Sequence, residues 1–428
     1  MPEFLERRYN PQSRTILSVI SLVSYVLTKV AVTVYAGGLV FQQVFGIKEL
    51  WGIDFFWIAA IGLVVLTALY TIFGGMKSVL YTSVLQTPIL LLGSLIILVL
   101  GFKELGGWDE MMRVCGAVTV NDYGDTMTNL IRSNDDANFP WLGALIGSAI
   151  IGFWYWCTDQ FIVQRVLSGK NEMEARRGTI FGAYLKLLPV FLFLIPGMIA
   201  FALHQKYIGA GGEGFLPMLA NGTANADAAF PTLVAKLLPA GVKGLVVCGI
   251  LAALMSSLAS LFNSSAMLFT IDFYKRFKPE TPEKKLVGIG QIATIVIVVL
   301  GILWIPIMRS VGDVLYTYLQ DVQSVLAPGI AAAFLLGICW KRTSAQGGMW
   351  GLISGMVIGL TRLGAKVYYS NAGEVADSTF KYLFYDMNWL FFCGWMFLFC
   401  IIVVIVVSLA TEAPTAEKIQ GLVFGTAT

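Results

Sequence analysis

The stretch "WLGALIGSAIIGFWYWCTDQFIVQR", residues 141–165, joins a long apolar run to a group of aromatic and polar side chains. A bilayer core of roughly 30 Å needs about 20 apolar helical residues, so the stretch is long enough to span it. It also contains Gly143, Gly147 and Gly152, which a plain membrane anchor does not need. We therefore predict a transmembrane helix that is broken at bilayer depth, as helices that bind ions and solutes are. The alternative for each glycine is close packing between helices.

The rest of the chain has the same apolar character. It is 57% hydrophobic and only 13% charged, with a mean hydropathy of +0.76, a balance far from that of soluble proteins. The sequence therefore predicts an all-α, multi-pass integral membrane protein of about ten transmembrane helices. The expected spans are residues 15–45, 53–74, 78–102, 141–165, 179–203, 241–273, 286–308, 314–340, 347–368 and 388–409.

The charge distribution indicates membrane topology and does not point to a charged partner. If the N-terminus is cytoplasmic, most Lys and Arg residues of the short loops lie on the cytoplasmic side, as the positive-inside rule requires. The net charge of +3 follows from this asymmetry, and we expect no nucleic-acid partner. The chain has one histidine, His204, and no Cys-x-x-Cys motif, which argues against a catalytic triad or a metal cage. We do not expect an enzyme.

Hydroxyl groups repeat along the stretch "AALMSSLASLFNSS", residues 252–265. Residues three or four positions apart share a face of a helix, and this face holds Ala253, Ser256, Ser257, Ser260 and Ser264. A hard cation takes oxygen ligands, and hydroxyls with the carbonyls of a broken helix supply them. The alternative is that these serines bond back to their own helix and allow tight packing.

Amide and phenol groups lie inside the stretch "YTYLQDVQSVLAPG", residues 316–329. Tyr316, Gln320 and Gln323 share one face of a span that we expect to be interrupted at Pro328. An amide both donates and accepts hydrogen bonds, as a neutral polyol such as a sugar does. A hydrogen bond between two helices is the alternative reading of this face.

Apart from basic residues within a few positions of a span end, three basic residues lie inside the expected spans. Lys186 is about a third of the way into its span, so we expect it to be buried and functional, because an intramembrane Lys is costly. Lys29 also lies inside its expected span, where a charge is equally costly. Arg362 lies closer to the outer end of its helix, and we expect its side chain to reach the interface.

The aromatic group in the opening stretch permits two interpretations. Tyr155 shares a helix face with Gly152 and Asp159, and an aromatic ring beside polar groups suits a solute with an apolar ring face and hydroxyl edges. The alternative is an interfacial aromatic belt, which explains residues 159–165 better than residues 152–155. We expect Gly152 to Trp156 to form the broken midplane part and residues 158–165 to form a wet cytoplasmic exit.

These stretches together resemble the sodium/solute symporter family, and within it the sodium/glucose cotransporters. The resemblance covers nearly the whole chain. It rests on "PEFLERRYN" (2–10), "ALYTIFGGMKSVLYTSVLQT" (68–87), "WYWCTDQFIVQRVLSGKN" (154–171), "LAALMSSLASLFNSSAMLFTIDFYKRF" (251–277), "YLQDVQSVLAPGIAAAFLLGICWKR" (318–342) and "EKIQGLVFGT" (417–426).

The resemblance implies a leucine-transporter-like, inverted-repeat helix bundle. Residues 1–102 would hold the last three helices of the first repeat, and residues 103–140 an outside loop. Residues 141–342 would form the five helices of the second repeat. Residues 343–428 would form two peripheral helices and a C-terminal loop. We expect the chain to begin after the first two core helices, as a fragment would.

The resemblance also implies two binding sites. Sodium would bind at Ala253, Ser256 and Ser257, with further carbonyl ligands on the expected missing helix. A sugar would bind Lys186 and Gln320, with Tyr155 as the ring-stacking inner gate and Trp156 beside it. Gly152 stands where the family has a polar sugar ligand. Ser83 stands where many sugar members have an Asp, which argues for a single sodium ion.

The function implied is sodium-coupled symport of a glucose- or galactose-like sugar by alternating access. The alternatives are symport of another small solute (inositol, an amino acid, a carboxylate or a vitamin) and a sugar sensor that does not transport. Sodium is the expected co-transported ion, and membrane lipid is an expected partner. The expected location is the plasma or inner membrane of the cell.

Overall fold

The computed structural model of the chain describes residues 1–219, 222–311, 314–372 and 376–426, without the side chains of residues 70, 72–80, 82 and 309–311. Its helices are α1 (Pro2–Arg8), α2 (Pro11–Ser24), α3 (Ala31–Phe45), α4 (Phe55–Leu105), α5 (Trp108–Gly116), α6 (Trp141–Phe153), α7 (Gln160–Leu167), α8 (Glu172–Leu185), α9 (Ile195–Gly209), α10 (Ala229–Leu237), α11 (Ala240–Met267), α12 (Lys275–Phe277), α13 (Glu283–Val311), α14 (Leu315–Cys339), α15 (Ala345–Asn371), α16 (Thr379–Lys381) and α17 (Trp389–Ala410).

Short elements join these helices. Strands β1 (Glu49–Leu50) and β2 (Ile53–Asp54) form an antiparallel hairpin with Glu49 opposite Asp54. Turns of the wider π-helical geometry extend or link several helices, at Tyr25–Val30, Trp154–Thr158, Val190–Leu194, Leu268–Tyr274 and Tyr382–Asp386. Such turns change the direction in which the following side chains point, and they are frequent at functional sites.

Eight helical segments of the described chain are long and apolar enough to cross a membrane. They are Pro11–Phe45, Ser83–Leu105, Trp141–Thr158, Glu172–Gly209, Ala240–Phe277, Glu283–Met308, Leu315–Cys339 and Trp389–Ala410. The other two expected spans are also helical, in α4 and α15. The expected all-α, multi-pass membrane fold class is confirmed.

One boundary is wrong, because α4 runs without interruption through residues 75–77, where we expected a connection. Its 51 residues correspond to about 75 Å of helix, more than twice a bilayer core of roughly 30 Å. The connection would contain Gly75, but a glycine costs a helix only about 1 kcal/mol. The stretch from residue 55 to residue 87 contains no proline that would end the helix.

The described chain divides into two compact units. Unit 1 comprises Met1–Ala31, Arg132–Ser168 and Ser264–Thr428, and unit 2 comprises Val32–Ile131 and Gly169–Asn263. Each unit draws on both halves of the sequence, so the division into inverted repeats stays a prediction from the resemblance.

Unit 1 is built around α14, which packs against α6, α15 and α17. α14 is continuous through Pro328, so the expected interruption there is wrong. A Cβ on Gly329 would lie 3.0 Å from the Gly355 Cα on α15. A Cβ on Gly147 of α6 would lie 2.8 Å from the Leu390 carbonyl oxygen on α17. Both glycines therefore serve close packing between helices, the alternative interpretation from the sequence.

The N-terminal segment of unit 1 closes the end of α14. The Arg8 guanidinium is fully buried and donates to the carbonyl oxygens of Gly337, Trp340 and Thr343 at 2.8, 3.1 and 3.0 Å. These carbonyls are among those that a helix end leaves without partners. Burial raises the pKa of the neighbouring Tyr9 phenol, so Tyr9 stays protonated and donates to the Ala333 carbonyl at 2.7 Å.

Unit 2 has a separate core between α4, α9 and α10. Ile97, Ile199 and Leu233 are among its fully buried residues. His204 at the end of α9 is buried, and its Nδ1 accepts a hydrogen bond from the Leu216 amide at 3.0 Å. The single histidine of the chain therefore has a structural role, fixing the loop after α9.

Candidate functional site

The interruption predicted for residues 141–165 lies at Asp159. α6 is followed by the wide turn Trp154–Thr158, and α7 begins after Asp159, whose backbone is extended with φ −75° and ψ 120°. The three glycines lie inside the continuous helix α6 and do not cause the break. The break itself is therefore confirmed, but its expected position between Gly152 and Trp156 is wrong.

The Asp159 carboxylate is held by three groups of unit 1. Its Oδ1 accepts hydrogen bonds from the Tyr25 hydroxyl and from the Phe161 amide, both at 3.1 Å. Its Oδ2 forms an ion pair with the Lys29 ammonium. The Phe161 amide is one of the unpaired donors at the start of α7, so Asp159 also caps that helix.

The Lys29 ammonium lies among aromatic rings as well as beside Asp159. It is 4.3 Å from the centre of the Phe161 ring, 4.8 Å from that of Tyr25 and 5.4 Å from that of Tyr155. The negative faces of aromatic rings attract a cation, most strongly where water is excluded. The ammonium therefore links the expected gate ring to the helix break.

The expected wet cytoplasmic exit at residues 158–165 is wrong. Thr158, Asp159, Val163 and Gln164 are all buried. The reason is the ion pair with Lys29, since a carboxylate paired with an ammonium no longer needs water to solvate it. The polar residues of this segment are part of the protein interior, and the aromatic-belt interpretation does not apply to them.

The expected gate residues lie on the wide turn before the break. The Tyr155 ring is half-buried and meets the Trp156 ring edge to face, with centres 5.1 Å apart and an interplanar angle of 86°. The Trp156 side chain is 50% exposed. A Cβ added to Gly152 would meet nothing within 4 Å. Gly152 therefore borders open space, unlike Gly147.

Gln320 lies near the start of α14, where the centre of the Tyr316 ring is 6.4 Å from that of Phe139, which precedes α6. Its side-chain amide donates to the Tyr316 hydroxyl at 2.9 Å, and both side chains remain accessible. The two residues thus share a face, as predicted. A hydroxyl-bearing solute suits this pair, because an amide and a hydroxyl both donate and accept hydrogen bonds.

The next residue, Asp321, lies in a charged cluster between α14 and α15. Its carboxylate forms an ion pair with Lys366 and lies 3.7 Å from the Arg362 guanidinium. Arg362 is fully buried, donates to the Leu383 and Met387 carbonyls at 3.2 and 2.7 Å, and lies over the Phe392 ring. The expectation that Arg362 reaches the membrane interface is therefore wrong, because protein groups satisfy it.

Lys186 belongs to unit 2, whereas Tyr155, Trp156, Gly152 and Gln320 belong to unit 1. It follows the last residue of α8, in a turn that precedes Pro189. Its side chain is exposed, so the expected burial within the protein is wrong. Proline disfavours helix in the residues just before it, and the turn places Lys186 at the surface of the unit.

The expected sodium ligands lie on α11 in unit 2. Ser256 is buried, and its hydroxyl lies 2.6 Å from the Ser83 hydroxyl on α4. Ala253 and Ser257 are half-buried on the same helix. The structure thus brings together Ser256 and Ser83, the residue that departs from the family pattern. A cluster of hydroxyl and carbonyl oxygens is the ligand set that a hard cation takes.

Sequence reasoning missed the two ion-paired clusters. Lys29 was noticed, but Asp159 was assigned to the interface because Arg165 follows it. Opposite charges inside spans must find each other, and that rule would have paired the two. Asp321 stood in a quoted stretch and Lys366 in an expected span, yet no spacing rule connects residues on two different helices.

The chain matches the family model described as the sodium:solute symporter family over residues 1–355. It is similar to sodium/myo-inositol cotransporter 2 of Homo sapiens, with 35% identity over 438 residues, covering 100% of this chain and 64% of that protein. It is also similar to sodium/glucose cotransporter 1 of Ovis aries, with 36% identity over 434 residues, covering 97% and 64%. The chain therefore spans about 64% of the length of these relatives.

A solved structure resembles the whole chain. It is the substrate-bound, outward-open state of a Na+-coupled sialic acid symporter, with a TM-score of 0.69 and 21% identity, covering 97% of this chain and 78% of that one. At this identity the likeness concerns the fold alone. The expected leucine-transporter-like helix bundle is thereby confirmed.

Proposed function

The chain belongs to the sodium:solute symporter family, and on that premise we propose that it carries sodium together with a small polyol. The proposed solute is a sugar or an inositol, and the proposed mechanism is alternating access in a plasma or inner membrane. The relatives named above are cotransporters, not enzymes, and they give no support to a sensor that does not transport.

The observation that carries the proposal is the broken helix at Asp159 with an aromatic pair directly before it. Tyr155 offers a ring face for the apolar side of a sugar ring. On α14, Gln320 and Tyr316 offer an amide and a hydroxyl for its hydroxyl edge. Such a combination of a stacking face and a few polar groups is typical of small-solute sites.

Gly152 bears on which polyol is carried. The open space beside it leaves room for a solute or water where the resemblance implies a polar side chain. One of the relatives named above is an inositol cotransporter and another a glucose cotransporter. Both solutes are neutral six-membered rings with hydroxyl edges, so the pair Tyr155 and Gln320 suits either. Lys186, the remaining expected sugar ligand, is exposed in unit 2, and its role stays a prediction from the resemblance.

Sodium is proposed to bind at Ala253, Ser256 and Ser257 in unit 2. The contact between Ser256 and Ser83 supports an oxygen cluster there. With Ser83 in place of an Asp, the cluster carries no acidic side chain of its own, so we propose a single sodium ion. Sodium drives the solute only if it binds one conformational state more tightly than the other.

Binding of the solute should therefore depend on sodium, and binding of sodium should depend on the solute. The test is calorimetric titration of the whole natural protein, purified in detergent, with glucose and with myo-inositol, in sodium or in choline buffer. We expect at least one of the two to bind about 5- to 150-fold more tightly in sodium, the usual range of such coupling. Equal affinity in both buffers for every polyol would contradict the proposal.

The variants Tyr155→Ala and Gln320→Ala test the placement of the solute. Both should weaken polyol binding without changing the affinity for sodium. Tyr123→Ala, which removes an exposed tyrosine of the 103–140 loop, is the matched control and should change neither. If the control weakened polyol binding as much as Tyr155→Ala did, the proposed solute site would be wrong.

A further inference from the structure

A basic surface lies between two membrane-spanning segments of unit 1. One candidate span ends at Phe277 and the next begins at Glu283. Five basic residues fall within or beside this short connection, against two acidic ones, Glu280 and Glu283. The basic residues, all exposed, are Lys275, Arg276, Lys278, Lys284 and Lys285. The positive-inside rule assigns this connection to the cytoplasmic side.

The lysines of this surface are not neutralised by neighbouring carboxylates. Arg276 is held by the Pro11 carbonyl and the Thr15 hydroxyl of α2. Within the described chain, no ion pair includes any of the four lysines. The basic segment at the start of α8 differs, because Arg176 pairs with Glu172 at 2.6 Å and Arg177 with Glu174 at 3.2 Å.

Two of these lysines flank a cavity of about 470 Å³. Its wall includes Tyr274, Lys278, Glu280, Thr281 and Lys285. The Thr281 hydroxyl donates to the Lys278 carbonyl at 2.8 Å, which fixes the turn between the two lysines. Two ammonium groups against one carboxylate leave the wall net positive. The volume lies in the range of about 300–1,000 Å³ that small-ligand sites have.

Aromatic side chains precede this cavity in the chain and indicate its depth in the membrane. Along the preceding helical segment, the rings of Phe269 and Phe273 stack with centres 5.7 Å apart, and Phe273 meets Phe277 edge to face at 5.2 Å. Phe277 is 69% exposed, although it lies next to Lys278. An apolar ladder that ends at a row of lysines marks the boundary between acyl chains and headgroups. We therefore expect the cavity to lie at the level of the lipid phosphates.

We propose that this cavity, the 274–285 pocket, binds the phosphate headgroup of an anionic phospholipid of the cytoplasmic leaflet. Lys278 and Lys285 donate to the phosphate oxygens, and the Tyr274 hydroxyl is placed to donate a further hydrogen bond. Lys275 and Lys284 add to the positive field outside the cavity. Clusters of basic residues beside a membrane span attract such lipids. The cavity would hold the headgroup at one place on this surface.

The test measures binding of fluorescent phosphatidylglycerol to the whole natural protein in neutral detergent micelles. We expect Lys278→Gln with Lys285→Gln to weaken binding about 25-fold, the product of about fivefold for each lysine. The control is Arg176→Gln with Arg177→Gln, which removes the same charge from the start of α8 and should leave binding unchanged. Replacing both lysines of the pocket by Arg keeps the charge and should also preserve binding.

Several outcomes would overturn the proposal. Equal weakening by the two Gln pairs would mean that bulk charge alone attracts the lipid. Equal binding of phosphatidylcholine with matched acyl chains would mean that the pocket does not distinguish a headgroup with a net negative charge from a neutral one. Displacement by inorganic phosphate at the same concentration as phosphatidylglycerol would assign the pocket to free phosphate. Loss of binding in the Arg pair would show that the lysine charges are not what holds the lipid.

Discussion

Gly152 is the position at which adding one side chain should change the preference for the solute most. It lies one turn before Tyr155 and borders open space, whereas Gly147 on the same helix touches the backbone of α17. The sequence alone could not separate these two glycines, because both fit the spacing of a packing face. Packing against a neighbouring helix is decided by contacts across the fold, which residue spacing does not contain.

Replacing Gly152 by Asn should add a polar ligand without disturbing the helix. The new side chain has space, and one added hydrogen bond is worth about 0.5–1.5 kcal/mol. We therefore expect the KM for the preferred hexose to fall about 2- to 10-fold, with the KM for sodium unchanged. Sodium-driven uptake by reconstituted protein measures both.

Gly147→Asn is the matched control for this variant. A Cβ there would meet the Leu390 carbonyl oxygen at 2.8 Å, so we expect a lower thermal midpoint and less folded protein. If Gly152→Asn destabilised the protein as much as Gly147→Asn, the open space beside Gly152 would not exist.

Ser257 is the residue whose loss should affect sodium-dependent uptake most directly. Ser257→Ala removes a hydroxyl from the proposed oxygen cluster, and we expect sodium-dependent uptake to be lost while the thermal midpoint stays close to that of the wild type. Ser265→Ala, two turns further along α11, makes the same chemical change at a buried position and should retain sodium dependence. Unchanged sodium dependence in Ser257→Ala would remove this residue from the site.

At the scale of elements, the helix α6, its wide turn and α7 act as one broken span. The sequence predicted that a break occurs within residues 141–165, because polar residues and glycines interrupt an apolar run. It did not predict that Asp159 forms the break, since the partner that stabilises it, Lys29, is more than a hundred residues away in the chain. Hydropathy reports the depth of a residue and does not report which helix faces it.

The ion pair between Lys29 and Asp159 should behave as a coupled unit. Asp159→Asn leaves the Lys29 ammonium buried without a counter-charge, and breaking a buried pair in this way typically costs about 3–5 kcal/mol. Combining it with Lys29→Met should restore part of the loss, because no unpaired charge remains. Thermal unfolding of the two single variants and the double variant in detergent measures the coupling.

The control for this cycle is the exposed pair of Arg176 and Glu172. Glu172→Gln should change the thermal midpoint little, because exposed pairs contribute only about 0–1 kcal/mol. Strict additivity of Lys29→Met and Asp159→Asn would show that the two residues do not interact in the protein in solution.

For the whole molecule, composition was sufficient to predict the membrane class and most spans, because bilayer thickness imposes length and hydropathy on every crossing. The resemblance extended this to the leucine-transporter-like fold. The sequence could not predict how the helices assemble into units. In unit 1, Arg8, Arg362 and Asp321 are buried by contacts with distant helices. Buried charges of this kind are satisfied by groups on other helices, and such contacts across a fold leave no periodic signal in the sequence.

The central claim is that sodium drives a small polyol across the membrane through this chain's fold. The measurement is uptake of labelled glucose, mannose and myo-inositol into proteoliposomes containing the whole natural protein, under an inward sodium gradient and under a matched choline gradient. We predict transient accumulation of at least one polyol above its equilibrium level with sodium only, and its loss in Ser257→Ala. Equal uptake of every polyol under both gradients would contradict the claim.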